Sequence, residues 1–167
     1  MKIWRYLKED AIRLRMSTVC EPPDEGASID RWRWQCKEQI IDELVTVLEH
    51  SARIGNRNKL VNDFIFREKK ASTAIGHGIA IPHIRSKQAK DFMLGFARSE
   101  EGYDFDSPDR EPTRLFFVMA APPYDDSFYL KVFRSLGEML QYESFREELM
   151  AATTPGEIIR AVRSIEQ

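Results

Sequence analysis

From Arg31 onward the apolar positions Ile40, Ile41, Leu44, Val47 and Leu48 recur at helical spacing, and this pattern predicts a helix ending near Gly55. A second helix is predicted from about Asn56 through Leu60, Val61, Phe64 and Ile65 to Lys70. Its last turn holds Arg67, Lys69 and Lys70, cations that suit the negative end of a helix dipole. The rhythm then changes. Ile79, Ala80 and Ile81 read as a short buried strand, and Phe92 to Arg98 and Arg114 to Ala120 as longer ones joined by a turn-rich connection around Ser107-Pro108-Asp109. Three more helices are predicted, over Ser127 to Tyr142, Phe145 to Ala151 and Thr154 to Ile165, with Ser127, Ser144 and Thr154 as N-caps and Pro155 in a first turn. Ahead of all these, Lys8 to Met16 is expected to hold a short helix and a strand. The polar stretch from Ser17 to Asp30 reads as a loop, long enough that Glu21-Pro22-Pro23-Asp24-Glu25-Gly26 is expected to be a mobile insertion. Helices before and after a group of strands imply layers of helix around a sheet.

Composition narrows the function classes. A chain of 167 residues supports one domain, residues 1–167, with a real core. A formal net charge of −2 argues against nucleic acid as a partner, because neutralising phosphates needs a basic surface. The longest uncharged run, Ala71 to Ile84, is too short and too polar to span a bilayer, and Met1 to Met16 lacks the apolar core of a signal peptide. Cys20 and Cys36 make neither a disulfide framework nor a zinc pattern, so a reducing cytoplasm is the expected compartment. No metal or cofactor is called for: His50, His77, His83 and the cysteines have no ligand spacing, and no phosphate-binding Gly-rich loop with a following Lys is present. Trp32, Trp34, Phe64 and Phe66 read as core rather than as a ligand box.

The chemistry concentrates in one segment, Arg67-Glu68-Lys69-Lys70-Ala71-Ser72-Thr73-Ala74-Ile75-Gly76-His77-Gly78-Ile79-Ala80-Ile81-Pro82-His83. Gly76 and Gly78 tolerate close backbone approach, Pro82 fixes its own φ, and Ile81 is pushed into an extended conformation. His83 is thereby aimed, and an imidazole largely unprotonated near neutral pH is a candidate nucleophile.

Taken together, Arg-Glu, then Ser-Thr, then Gly-x-Gly-Ile-Ala-Ile-Pro-His resembles the phosphorylation-site signature of the enzyme IIA proteins of the phosphotransferase system, in the fructose/mannitol/nitrogen-regulatory branch. Tyr103-Asp104-Phe105-Asp106-Ser107-Pro108-Asp109 and Arg114 to Ala120 resemble that family's second half. The resemblance implies a three-layer α/β/α domain with a mixed central sheet, a phosphoryl group carried on His83, and Arg67 as the cation that stabilises it. Ser72 and Thr73 are then either turn residues or donors to the phosphoryl group, Gly78 supports the same segment, and His77 is read as structural. The implied donor is the histidine-containing phosphocarrier, and the implied acceptor an enzyme IIB or a regulated target protein.

The chain also departs from the pattern. Where the family carries a second active-site histidine at the start of a helix, this sequence reads Tyr129-Leu130-Lys131-Val132-Phe133-Arg134-Ser135-Leu136. Tyr129 offers a phenol that donates a hydrogen bond but cannot become a cation. Arg110 replaces the glycine usual in its turn, which suggests a changed rim near the site. Tyr129, together with the absence of a IIB, membrane or phosphocarrier segment from these residues, inclines the expectation toward a phosphorylation-controlled regulator over a sugar-transport carrier.

Overall fold

A computed structural model of the chain describes residues 1–50, 53–125 and 127–167. A 3₁₀ turn at Ile3–Tyr6 leads into β1 (Leu7–Arg13). Two helices follow, α1 (Ile29–Glu49) and α2 (Arg57–Lys70), then the strands β2 (Ala74–Gly76), β3 (Ile79–Ala80), β4 (His83–Arg85), β5 (Met93–Tyr103) and β6 (Thr113–Ala121). Helices α3 (Phe128–Met139), α4 (Glu143–Ala151) and α5 (Pro155–Ile165) complete the domain. The six strands form one mixed sheet ordered β1-β5-β6-β3-β2, with β4 also pairing β6. β5 and β6 are antiparallel, whereas β3 and β4 both run parallel to β6.

Period-two alternation along β6 divides the interior into two cores. Leu115, Phe117 and Met119 face α3, α4 and α5, while Phe116, Val118 and Ala120 face α1 and α2. A strand buried on both sides reads in the sequence as a continuous apolar run, which is why it carries no polar alternation. The α/β/α layering expected from the sequence is therefore present. At Gly95 of β5 an added Cβ would lie 3.2 Å from each of Val47, Leu48 and Val118, so the missing side chain lets α1 sit close to the sheet.

Several boundaries differ from the sequence reading. The helical turn expected within Lys8 to Met16 lies earlier, at Ile3–Tyr6, and the strand follows directly. α1 begins at Ile29, inside the expected loop, because the Ser28 hydroxyl accepts the Arg31 amide as an N-cap. It ends at Glu49; the stretch expected to reach Gly55 crosses residues 51 and 52, outside the described residues. The Ser127 side chain does not cap α3: Asp125 Oδ1 does, accepting the Phe128 amide at 2.8 Å. Ser144 lies inside α4, which has no side-chain cap, whereas Thr154 caps α5 ahead of Pro155 as expected. Of the four aromatics expected in the core only Phe64 is buried. Trp32 and Trp34 are half-buried, and Phe66 stands exposed with the Lys70 ammonium over its ring. Their places on the outer face of α1 and α2 could not be read from residue type alone.

The long loop after β1 is anchored at its start. Ser17 and Thr18 donate both amides and both hydroxyls to the Glu43 carboxylate on α1, which Arg13 also bonds at 3.0 Å. These donors hold Glu43 below its ordinary pKa against the opposing effect of burial. Among the described residues no helix is long and apolar enough to cross a membrane.

The close approach at Gly95 sets a testable cost. Gly95→Val is expected to destabilise the domain by about 2–3 kcal/mol through overpacking against Val47, Leu48 and Val118. Urea unfolding followed by circular dichroism measures it, and an unchanged midpoint would mean that α1 is free to shift.

Candidate functional site

α2 ends beside the strand segment that carries the histidine, and its C-terminus is closed by its own side chains. Arg67 Nη1 donates to the Ala71 carbonyl at 2.9 Å, satisfying one of the acceptors that a helix end leaves open. Glu68, one residue on, is 3 % exposed and points inward. Its Oε1 accepts the Thr73 amide at 2.9 Å and its Oε2 accepts the Thr73 hydroxyl at 2.7 Å. The same carboxylate meets Lys37 Nζ of α1 at 3.1 Å, and Lys37, 1 % exposed, also reaches Asp106 Oδ2 at 2.9 Å. Phe105 and Trp34 face the ammonium at 4.7 and 5.0 Å from their ring centroids. A buried ammonium is tolerable only when its charge and donors are met, and here two carboxylates and two aromatic faces meet them.

From Thr73 the order passes to the histidine through main chain. The Thr73 carbonyl accepts the Ile81 amide at 3.0 Å, and the Ile81 carbonyl accepts Nδ1–H of His83 at 2.7 Å. A carbonyl oxygen only accepts, so the neutral ring holds its proton on Nδ1 and leaves the Nε2 lone pair exposed for reaction. His83 is half-buried, and β4 places it opposite Met119 of β6. Two side chains of α3, one turn apart, cover the imidazole: Phe133 with ring centroids 4.5 Å apart and Tyr129 at 6.3 Å. Burial pushes the His83 pKa below its ordinary value. The Ile81 carbonyl works against that shift, the Arg67 charge adds to it, and Glu68 opposes it. The ring is therefore neutral at neutral pH, the form a nucleophile requires.

The structure sorts the residues singled out from the sequence. His83 and Arg67 are brought within electrostatic reach of one another, and Tyr129 joins them from α3. Neither hydroxyl of the Ser-Thr pair is aimed at the histidine. Ser72 Oγ donates to the Phe105 carbonyl at 3.0 Å and accepts the Ala74 amide, and Thr73 Oγ1 is held by Glu68. Gly78 lies elsewhere: its carbonyl accepts the amides of Arg114 and Leu115, at the start of β6, whereas His83 pairs with Met119. Four strand residues separate those levels, about 13 Å. Gly78, His77 and Gly76 form the β2–β3 turn, all three in the left-handed region, with the His77 amide donating to Asp109 Oδ2 at 2.9 Å. Asp109, which also accepts from Ser107 and the Glu111 amide, is held down at about 2 by these donors. Arg110 sits in the same far-end turn with φ of 62°, so the rim that it alters is not the one around His83.

Two contributors escaped the sequence reading. Lys37 is one cation among several on an amphipathic helix, and nothing in its spacing marks it as buried. Arg85 follows His83 by two residues on β4, and that parity was the available signal, since alternate strand residues share a face.

Two outcomes test this arrangement. The His83 titration, followed by ¹H–¹⁵N NMR, is expected to have its midpoint below 6.5, with the proton of the neutral ring on Nδ1. The folded pKa being the lower, the unfolded chain binds more protons below pH 6.5. His83 therefore costs no stability well above pH 6.5, costs progressively more as pH falls from 6.5 to the folded midpoint, and reaches its full cost below that midpoint. Lys37→Met, which strands the Glu68 carboxylate in the interior, is expected to lose about 3 kcal/mol in denaturant unfolding. Adding Glu68→Gln to that variant should recover part of the loss, and full stability in Lys37→Met alone would deny the pair its role.

Over 123 residues the chain is 35% identical to the fructose-specific EIIABC component of the phosphotransferase system of Bacillus subtilis, matching 74% of this chain but 19% of that protein. The chain thus spans about a fifth of the length of that larger relative. Over 116 residues it is 33% identical to the fructose-specific EIIA component of Haloferax volcanii, covering 70% of this chain and 75% of that one. The crystal structure of the nitrogen regulatory protein IIA-Ntr from Neisseria meningitidis superposes with a TM-score of 0.80 at 26% identity, covering 97% of this chain and 99% of that one. The family model described as phosphoenolpyruvate-dependent sugar phosphotransferase system, EIIA 2, matches residues 28–165, from the cap of α1 to the last turn of α5, and the chain belongs to that family.

Proposed function

We propose that this protein accepts a phosphoryl group on Nε2 of His83 from a histidine-containing phosphocarrier and acts as a phosphorylation-controlled regulator. The hydrogen bond from Nδ1 to the Ile81 carbonyl carries this reading, because it selects the nucleophilic nitrogen before any donor arrives. In the transfer step the Nε2 lone pair forms a bond to phosphorus as the donor's nitrogen–phosphorus bond breaks and its electron pair leaves with the donor. The Nδ1 proton stays on the acceptor ring, and the Ile81 carbonyl stabilises the positive charge that the ring gains. Arg67 supplies charge stabilisation from the end of α2, and its N–H groups other than the one on Ala71 face no partner among the described residues.

The regulatory side of the proposal is supported by Tyr129 at the place of a second imidazole. A carrier must accept and release the group quickly, whereas a switch needs two states that differ. The phosphoryl group adds about −1.5 to −2 charges beside His83, enough to change which partner surface docks there. The identities to fructose-specific components favour a second reading, a carrier that passes the group to an enzyme IIB. Rapid transfer from the phosphorylated protein to an enzyme IIB, with no target that distinguishes the two forms, would establish the carrier instead.

Incubation with phosphoenolpyruvate, enzyme I and the phosphocarrier is expected to add one acid-labile phosphoryl group, seen by mass spectrometry, that His83→Ala abolishes. Arg67→Lys, which loses the paired planar donors, is expected to slow the transfer on the order of 100-fold with the fold intact. Phosphorylation of His83→Ala would remove the assignment, and native rates in Arg67→Lys would leave that side chain as a helix cap only.

A further inference from the structure

β4 carries a second cation on the histidine's own face. Side chains two apart on a strand project to the same side, so Arg85 stands about 7 Å along from His83. Helix α3 covers that side with Tyr129, whose ring is the common neighbour of both groups. Its centroid lies 6.3 Å from that of the imidazole and 5.4 Å from Arg85 Cζ. Arg85 Nη1 also donates to the Asp125 carbonyl oxygen at 3.1 Å. The Asp125 carboxylate is occupied elsewhere, its Oδ1 accepting the Phe128 and Tyr129 amides at the start of α3. An exposed arginine is usually free to sample many rotamers. This one is held on two sides, by an aromatic face and a main-chain acceptor, next to the nucleophile.

We propose that Arg85, stacked on Tyr129, is a second phosphoryl-binding cation of the site. The inference rests on the phosphohistidine reading above. When Nε2 carries the phosphoryl group, the guanidinium turns on the Tyr129 ring and donates to the phosphoryl oxygens while Arg67 approaches from the end of α2. It exchanges a bond to a neutral carbonyl for charge-assisted bonds to a dianion, which are shorter and stronger. Tyr129 then serves as the platform for the cation, through its ring rather than its hydroxyl: α3 supplies the surface and β4 the charge. The other charged groups around the position agree with this. On α2 stand Arg67, Glu68 and Asp63: Glu68 is offset by Lys37 and bonded to Thr73, and Asp63 is tied to the Ser86 hydroxyl on the opposite face of the strand end from Arg85; on the α3 side the Asp125 carboxylate is tied to the helix amides. The phosphoryl group therefore meets a locally positive field.

Phosphorylation with potassium phosphoramidate, which needs no protein donor, followed by ³¹P NMR across pH, tests the two layers separately. The phosphoryl ionisation midpoint is expected to rise by about half a unit in Arg85→Gln, a threefold weaker acid, since a nearby cation favours the dianion. Arg85→Lys should restore most of the native midpoint. Tyr129→Phe, which keeps the aromatic face, should match the native protein, and Tyr129→Leu, which removes it, should rise part of the way. Native protein that gains no phosphohistidine at His83, read by its ³¹P and ¹H–¹⁵N signals against His83→Ala, in which the exposed His50 and His77 can still react, overturns the phosphohistidine reading and this inference with it. A phosphorylated native protein whose midpoint is unmoved in both Arg85→Gln and Tyr129→Leu overturns the role of Arg85 alone. A rise in Tyr129→Phe equal to that in Arg85→Gln assigns the effect to the phenol and overturns it as well.

Discussion

The hydrogen bond from His83 Nδ1 to the Ile81 carbonyl is the constraint on which the site depends, because it decides which ring nitrogen has a lone pair and where that lone pair points. A carbonyl two residues back along the chain has to be held still for this to work. Pro82 restricts the backbone between them, and the Ile81 amide is tied to the Thr73 carbonyl across the segment. The His83 side chain is thus oriented by main chain that the Pro82 ring and the Thr73–Ile81 hydrogen bond already hold.

Behind that main chain stands a charge arrangement that is costly in isolation. Lys37, Glu68 and Asp106 come from α1, α2 and the loop after β5, and they meet beneath the segment that holds Thr73. Burying such a pair gains little net stability compared with an apolar replacement, but a partly dismantled pair is strongly unfavourable. The arrangement consequently tolerates few alternative positions for Thr73. Stability and the aim of the histidine are coupled in this way: the groups that order Thr73 are also those whose loss leaves a charge stranded.

The remaining electrostatics act on the ring itself. Burial against Phe133 favours neutral imidazole, and Arg67 on α2 pushes in the same direction. Those influences suit an attacking base, and the same cation then suits the dianion that attack would create. The groups that favour the neutral nucleophile thus also favour the charged product, so the charge is already in place and only side-chain rotation is left to bring the donors onto it.

Much of the domain was legible in the chain. Apolar spacing located both N-terminal helices and the two long strands, and burial of β6 on both faces explains why that strand appeared as an uninterrupted apolar run. The Gly/Pro-stiffened approach marked His83, because local backbone restriction is a property of the residues themselves. Helix ends were less legible. A side chain several residues away competes for the same orphan amides, as Asp125 does in place of Ser127 at α3. Burial of single residues was legible only in part: Phe64 and Ile79 to Ile81 are inside as expected, but so is Lys37, while Trp32 and Phe66 are not, since that depends on which helix face meets the sheet. The roles of the Ser-Thr pair and of Gly78 were equally closed to reading: the Ser72 and Thr73 hydroxyls are taken by the Phe105 carbonyl and Glu68, and the extended run from Ile79 to His83 beside β6 leaves Gly78 at the far level. The sequence by itself determined the elements, the layering and the stiffened approach to His83, all set by local stereochemistry and periodic burial. Only the tertiary structure decided which charges surround that residue, because electrostatic neighbours are chosen by the packing of elements distant along the chain.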